Sequence, residues 1–353
     1  MEGRVPTELL IARSATGIEA LRQMDAVGHK MLIVVNADGG FHSILTVGDL
    51  QRAIIASYDI AQSIDGLLDP KSKEYAYVWE SEEDIRQRML AIRAEFMPVL
   101  DEAGALQRLY LWEDFFPSTS HVAEREPLDL PVVIMAGGRG ERMKPLTNVI
   151  PKPLIPIGEK TILETILDQF AAIGCHRFYI SENYKAGLLQ YYLSELELPY
   201  SITHVVEDKP MGTIGSVSLM AESIDTPFFV SNCDILVDQD YRDVYDYHVS
   251  NSNDITVVTS MQAQRIPYGV IESGPDGLLE RVIEKPENIY MINTGVYLLN
   301  AEMIDLIPRD TFFHITDLIA EVIAKGGRVG CFPVSERSWR DIGTWAEYLR
   351  VLG

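Results

Sequence analysis

Apolar and polar positions follow two different rhythms along the chain. In the first, Ile18, Leu21, Met24 and Val27 recur at helical spacing. Met31-Leu-Ile-Val-Val-Asn36 then predicts a strand, Asp38-Gly39-Gly40 a turn, and Phe41 to Thr46 a second strand. The same sequence of elements recurs further on. Ile85, Met89 and Ile92 share a helical face, Phe96-Met-Pro-Val-Leu-Asp101 predicts a strand, Glu102-Ala-Gly104 a turn and Ala105 to Leu111 a strand. Asp49 and Asp114 follow the second strand of each copy at matching positions. From Phe116 to Pro127 prolines, small polar residues and charges mark a linker. A second rhythm begins at Pro131. Short β-branched runs (Val132–Ile134, Phe178–Ile180, Ser201–Thr203, Phe228–Val230, Ile255–Val258) alternate with helical stripes such as Ile162, Ile166 and Phe170, or Leu188, Tyr192 and Leu196. That alternation predicts an α/β domain, Rossmann-like, with a mixed but mainly parallel sheet covered on both faces. Ligands of such sheets sit at the carboxyl ends of the strands.

Composition narrows the partners. The 353 residues carry a formal net charge of −22. Such a surface repels nucleic acid and anionic lipid, so neither is expected as a partner. No apolar stretch is long enough to span a bilayer. Cys175, Cys233 and Cys331 lie far apart with no metal-ligand spacing, and the first residues lack a basic start and an apolar run. The expectation is a cytoplasmic chain with free thiols. An acidic protein that handles anionic substrates must gather its few cations deliberately, so basic residues in Gly-rich loops stand out.

The first strand of the second rhythm, Val132 to Ala136, runs into Gly137-Gly-Arg-Gly-Glu-Arg-Met-Lys-Pro-Leu-Thr147. Gly137, Gly138 and Gly140 let backbone N–H groups approach phosphates. Arg139, Arg142 and Lys144 add positive charge, and prolines on both sides fix the path of Lys152. The loop lacks the Gly-Lys-Ser/Thr of a Walker A motif. It is not the dinucleotide fingerprint either, since Met143 stands where the third glycine belongs. Asp234 ends the strand beginning at Phe228, a position suited to Mg²⁺, and Asp341 in Trp339-Arg-Asp-Ile-Gly-Thr344 is a second carboxylate. Trp339, Trp345 and Tyr297 read as core aromatics.

This set of motifs resembles the sugar-1-phosphate nucleotidyltransferase family over about residues 131 to 350. The resemblance implies that the loop wraps a nucleoside triphosphate, with Arg142 and Lys152 on its phosphates and Asp234 and Asp341 on the metal. Arg142, Lys152 and Asp234 become the catalytic candidates. Ala136, Gly137, Gly138, Gly140, Glu207, Gly212 and Thr213 become nucleotide-binding candidates. Gly269, Glu284, Lys285, Asn293 and Thr294 match the family's sugar-phosphate segments. The family usually has Gly at position 233, where this chain has Cys. Thymidylyl and uridylyl members usually carry Gln at position 207. A carboxylate there suits the adjacent N–H donors of guanine, which favours GTP over UTP or dTTP. Glucosamine 1-phosphate, heptose 1-phosphate and mannose 1-phosphate are the acceptors considered, with glucosamine 1-phosphate favoured on the two-domain layout, giving a nucleotide sugar for surface glycans.

The repeated N-terminal unit resembles a tandem pair of CBS domains, an α+β module, on the strength of Thr46-Val-Gly-Asp49. In that family Thr46 and Asp49 would hold an adenine nucleotide. The second copy, Leu111-Trp-Glu-Asp114, lacks the hydroxyl. The pair serves either to sense a ligand or to pack and dimerise. The expected layout is a CBS pair over 1–117 (copies about 5–60 and 65–117), a linker over 118–130 and a catalytic domain over 131–353, assembled as a homo-oligomer. Two other readings stay open: a nucleotide-sensing regulatory protein on an inactive scaffold, and a dinucleotide oxidoreductase.

Overall fold

A computed structural model describes residues 6–68, 74–92, 96–115, 127–334, 336 and 338–352. The chain forms two compact units, Met1–Arg125 and Glu126–Gly353. Positions 118–126 of the expected linker lie outside the described residues. Positions 127–130 belong to the second unit's structure, because Leu128 N donates to Ile173 O (3.0 Å) and Asp129 N to Gly174 O (3.1 Å).

The first unit holds β1 (Leu10–Ala12), α1 (Gly17–Val27), β2 (Met31–Val35), β3 (Phe41–Thr46) and α2 (Val47–Ile55). Its second half holds β4 (Ala76–Tyr77), α3 (Glu82–Ile92), β5 (Phe96–Leu100), β6 (Leu106–Leu111) and the short α4 (Trp112–Phe115). The sheets β1-β2-β3 and β4-β5-β6 share one topology, a parallel pair followed by an antiparallel one. Even the ladder irregularities correspond, at Val34/Val35 and Val99/Leu100. The repeat seen in the sequence is therefore a repeat of structure.

Thr46 and Asp49 have a local task here. Thr46 Oγ1 accepts from Asp49 N (3.2 Å) while Asp49 Oδ2 accepts from Thr46 N (2.8 Å), a capping box that starts α2. Asp114 Oδ2 accepts from Leu111 N (2.8 Å) in the second copy. The carboxylate is thus retained for the same helix start where the hydroxyl is absent.

The second unit contains, in order, β7 (Pro131–Met135), β8 (Pro156–Ile157), β9 (Lys160–Thr161), α5 (Ile162–Ala171), β10 (Arg177–Glu182), α6 (Ala186–Ser194) and β11 (Ser201–Val206). There follow β12 (Phe228–Asn232), β13 (Ile235–Val237), α7 (Tyr241–Ser250), β14 (Ile255–Arg265), the hairpin β15 (Val270–Ser273) and β16 (Leu279–Ile283), and β17 (Glu287–Leu299). Last come α8 (Ile315–Ala324), β18 (Val329–Val334), β19 (Trp339–Asp341) and α9 (Trp345–Leu352). Seven strands form one sheet in the order β11-β10-β7-β12-β17-β14-β18, and only β17 runs against its neighbours. The sheet is mixed and mainly parallel, as the alternation predicts.

Both faces of the central strands are covered, which is why their sequences read as unbroken apolar runs. Val132 and Ile134 join Ile162, Ile166 and Phe170 on one face. Val133 joins Ile214, Val217 and Leu318 on the other. Of the face predicted for α6, Tyr192 and Leu196 pack against the core, and Leu188 is corrected by the structure. Leu188 is 44% exposed, and the buried positions are Leu189 and Leu193. Lys185, in the left-handed region (φ 56°), stands at the N-cap of that helix.

Candidate nucleotide-transfer site

Strand β7 delivers the Gly-rich loop to the carboxyl end of the sheet, as its apolar run requires. Gly140 adopts φ 62°, and a Cβ there would stand 2.8 Å from Thr147 Cγ2 and 3.3 Å from Lys152 Cβ. Only a residue without a side chain lets this turn lie against Lys152. Thr147, itself buried, donates its hydroxyl to Gly140 O (2.9 Å). Gly138 faces open space. Ala136 is buried, and its N–H donates to Ser181 O (2.8 Å).

The two aspartates meet although they lie far apart in sequence. β13 pairs antiparallel with β19, which places Asp341 opposite Ile235, the residue after Asp234. Ile342 N donates to Asp234 O (2.9 Å) and fixes the register. Lys152 Nζ forms an ion pair with Asp234 Oδ2, and both side chains are largely buried. Arg142 bridges the carboxylates, 3.9 Å from Asp234 and 3.6 Å from Asp341. The four charged side chains therefore converge on one place. Among the described residues no group of three His, Cys, Asp or Glu side chains could hold a metal ion. Two carboxylates remain a sufficient protein share for Mg²⁺, which takes phosphate oxygens and water for its other positions. Cys233, beside Asp234, is buried, and burial together with that neighbouring charge pushes its thiol up to about 12. It stays a protonated packing group at neutral pH.

Two residues in this cluster escape a reading of the sequence. A Cβ on Gly343 would lie 2.5 Å from Arg142 Nη2, 2.5 Å from Asp341 Oδ1 and 3.0 Å from Lys152 Nζ. Trp345, expected in the core, is 38% exposed, and its indole N–H donates to Lys144 O (3.0 Å) within the Gly-rich loop. Trp339 is partly buried and donates to Thr294 O (3.3 Å), while Tyr297 is buried as expected. The signal for Gly343 was the glycine two places after Asp341. Nothing local to Trp345 points at Lys144.

The segment that the resemblance assigns to the base follows β11. Glu207 is buried, with Oε1 accepting from Ser181 Oγ (2.5 Å) and Oε2 from Met211 N (3.1 Å). A Cβ on Gly137 would come within 3.1 Å of Glu207 Oε1, so this carboxylate lies against the start of the phosphate loop. Gly212 (φ 82°) abuts the backbone of Phe313, where a Cβ would meet Phe313 O at 2.4 Å. Thr213 turns its hydroxyl to α8 and accepts from Ile315 N (2.9 Å).

The sugar-phosphate candidates split. Asn293 accepts from Gly295 N (3.0 Å), and Gly295 sits against Asn232 and Ile235, next to the aspartates. Thr294 is buried, its hydroxyl donated to Val258 O (2.8 Å) inside the sheet. Gly269, Glu284 and Lys285 lie beyond the outer end of the β14–β17 ribbon, which runs from the pair Thr259–Asn293 to the pair Arg265–Glu287. There a Cβ on Gly269 would be 3.1 Å from Glu284 Oε2, and Lys285 has φ 47°.

The second unit is similar in sequence and fold to known nucleotidyltransferases. A mannose-1-phosphate guanyltransferase of Candida albicans is 35% identical over 227 residues, covering 62% of this chain and 62% of that protein. One of Pichia angusta is 36% identical over 185 residues, covering 50% of each. The matched part thus spans about half to three fifths of these curated relatives' length. The crystal structure of HddC from Yersinia pseudotuberculosis superposes with a TM-score of 0.51 at 25% identity, covering 63% of this chain and 98% of that one. A family model described as nucleotidyl transferase matches residues 131–352, more than half of the chain. The converging cations and carboxylates lie within that span, and the chain belongs to the nucleotidyl transferase family.

Proposed function

We propose that the second unit transfers a nucleoside monophosphate, GMP from GTP, to a sugar 1-phosphate and releases pyrophosphate. The observation that carries this reading is the convergence of Arg142, Lys152, Asp234 and Asp341 beside the Gly-rich loop. A phosphate oxygen of the sugar attacks the α-phosphorus, and the bond from that phosphorus to the bridging oxygen of pyrophosphate breaks. The nucleophile is already ionised at neutral pH, so no general base is required. The obstacle is repulsion between two anions. Arg142 and Lys152 offset it by placing positive charge where phosphate oxygens gather charge in the transition state. The loop's glycines let N–H groups approach the same oxygens. Asp234 and Asp341 would hold a magnesium ion, whose chemistry is to neutralise phosphate charge and orient the triphosphate. The formal charges of the four side chains cancel, so the metal would supply the net positive charge that a triphosphate needs.

Guanine is supported by the names of the relatives and by Glu207, a carboxylate at a buried position against the phosphate loop. Mannose 1-phosphate is the acceptor that those names favour, with glucosamine 1-phosphate and heptose 1-phosphate beside it. For the first unit, the two three-stranded sheets of like topology support a CBS-like pair, which serves either to take an adenine nucleotide or to pack and dimerise. The test is a matrix of GTP, UTP, dTTP and ATP against the three sugar 1-phosphates, with Mg²⁺ or with EDTA, read by pyrophosphate release. Turnover confined to GTP and dependent on Mg²⁺ is expected. Preference for UTP or dTTP would move the base assignment. Silence across the matrix would favour a regulatory protein on this scaffold.

A further inference from the structure

We infer that Lys185, with Tyr184, is a positioning residue that holds the phosphate loop in its nucleotide-binding shape. Lys185 Nζ donates to Asn148 O (2.7 Å) and to Val149 O (2.7 Å). Tyr184 Oη donates to Thr147 O (3.2 Å), and the Lys185 ammonium stands 5.5 Å from the centre of the Tyr184 ring. Three consecutive carbonyls at the far end of the Gly-rich loop are thus held by two consecutive side chains. The near end is held from the same turn, since Tyr184 N donates to Gly137 O (3.5 Å). The preceding residue, Asn183, donates its Nδ2 to Glu207 O (2.8 Å). One three-residue turn after β10 therefore ties both ends of the loop to the Glu207 segment.

The tie reaches the ligand-facing part of the loop through Thr147. Its carbonyl is held by Tyr184, and its hydroxyl holds Gly140 O. Asn148 and Val149 are followed at once by the Ile150-Pro151-Lys152 stretch that carries the catalytic lysine. Lys185 occupies the left-handed region, which a lysine rarely adopts (φ 56°). Its side chain gives α6 no cap hydrogen bond and is spent on the loop instead. Strained backbone at a non-glycine position is characteristic of places where function over-determines geometry.

This inference rests on the loop being the triphosphate site, so its test is built to fail separately. Lys185→Met keeps the stem and removes the ammonium. Lys185→Gly removes the amine and also relieves the backbone. Lys185→Arg keeps a donor. Amide hydrogen exchange across 138–150, without substrates, should be about tenfold faster in the Met and Gly variants and near wild type in Lys185→Arg. In the turnover assay KM for GTP should rise about tenfold in both, with kcat within threefold, KM for the sugar phosphate unchanged and the melting temperature within two degrees. Tyr184→Phe should raise KM for GTP two- to fourfold. Wild-type exchange and KM in Lys185→Met overturn the inference, as does a gain of stability in Lys185→Gly with no rise in KM. Faster loop exchange in Lys185→Met and Lys185→Gly, alongside a wild-type chain that turns nothing over, would uphold the tie and overturn the proposed reaction.

Discussion

Lys152 is the side chain on which the charge arrangement turns. It is nearly buried and faces Asp234, so its removal leaves a carboxylate without its main partner. Truncation of one member of a buried pair costs about 3–5 kcal/mol, and Arg142 at 3.9 Å can offset only part of that. Lys152→Met is therefore expected to lower both the melting temperature and kcat. Arg142 is 60% exposed, so Arg142→Ala should leave stability nearly unchanged while lowering kcat by about 10²–10³. Steady-state pyrophosphate release and thermal melting of the two variants check this contrast. At Glu207 each oxygen accepts one bond from the chain's own donors and keeps a second lone pair for a guanine N–H. Glutamine offers only one acceptor oxygen there. Glu207→Gln should raise KM for GTP relative to UTP, measured by the ratio of their kcat/KM values. Residues such as Arg142 and Lys152 were legible because a Gly-rich turn after a strand and a lysine between prolines are local signals. Gly343 was not, because its requirement comes from Arg142 and Lys152, some two hundred residues earlier.

Among the elements, the β13–β19 pair assembles the site by setting Asp341 beside Asp234. Gly343→Ala would place a methyl group within 2.5 Å of Arg142 and Asp341. It should lower kcat more than tenfold and raise the Mg²⁺ concentration for half-maximal rate, measured by metal titration of activity. A second test concerns the joint between α7 and β14. His248 is buried there, its Nε2 bonded to Asn300 Oδ1 (3.0 Å) and its Nδ1 to Thr256 Oγ1 (2.8 Å). Burial holds its imidazole below the usual histidine range. The folded chain then refuses a proton that the unfolded chain accepts below about pH 6.5. This histidine's contribution to stability is complete above that pH. It is lost as pH falls toward the folded value, with a slope of at most about 1.4 kcal/mol per unit. Melting curves from pH 7 to 5 should fall more steeply for wild type than for His248→Gln. The elements themselves were readable where apolar residues came singly at a clear period, as in α5. In α6 the doubled residues Leu188-Leu189 and Tyr192-Leu193 allow two phases, so Leu188 was misplaced while Tyr192 and Leu196 do pack on the core.

At the scale of the whole molecule, the four charged side chains and the entire family match fall within one compact unit. A chain beginning at Glu126 keeps Leu128 and Asp129 on the Ile173–Gly174 turn. It should fold and retain pyrophosphate release, whereas one beginning at Val132 should melt several degrees lower; differential scanning of the two checks this. The two-part layout was legible because each part has its own rhythm. The ribbon that carries Gly269, Glu284 and Lys285 away from Asn293 was not, because the strand length of β14 and β17 is set by mutual pairing rather than by the sequence of either alone. No helix among the described residues is long and apolar enough to cross a membrane.

The late position of Asp341 has a consequence for biosynthesis. It leaves the ribosome more than a hundred residues after Asp234, and only its pairing with β13 completes the carboxylate couple. A nascent chain can present its glycine loop well before it can offer both carboxylates. The charge cluster is thereby completed only once the last strand has paired with β13 at the sheet's mouth.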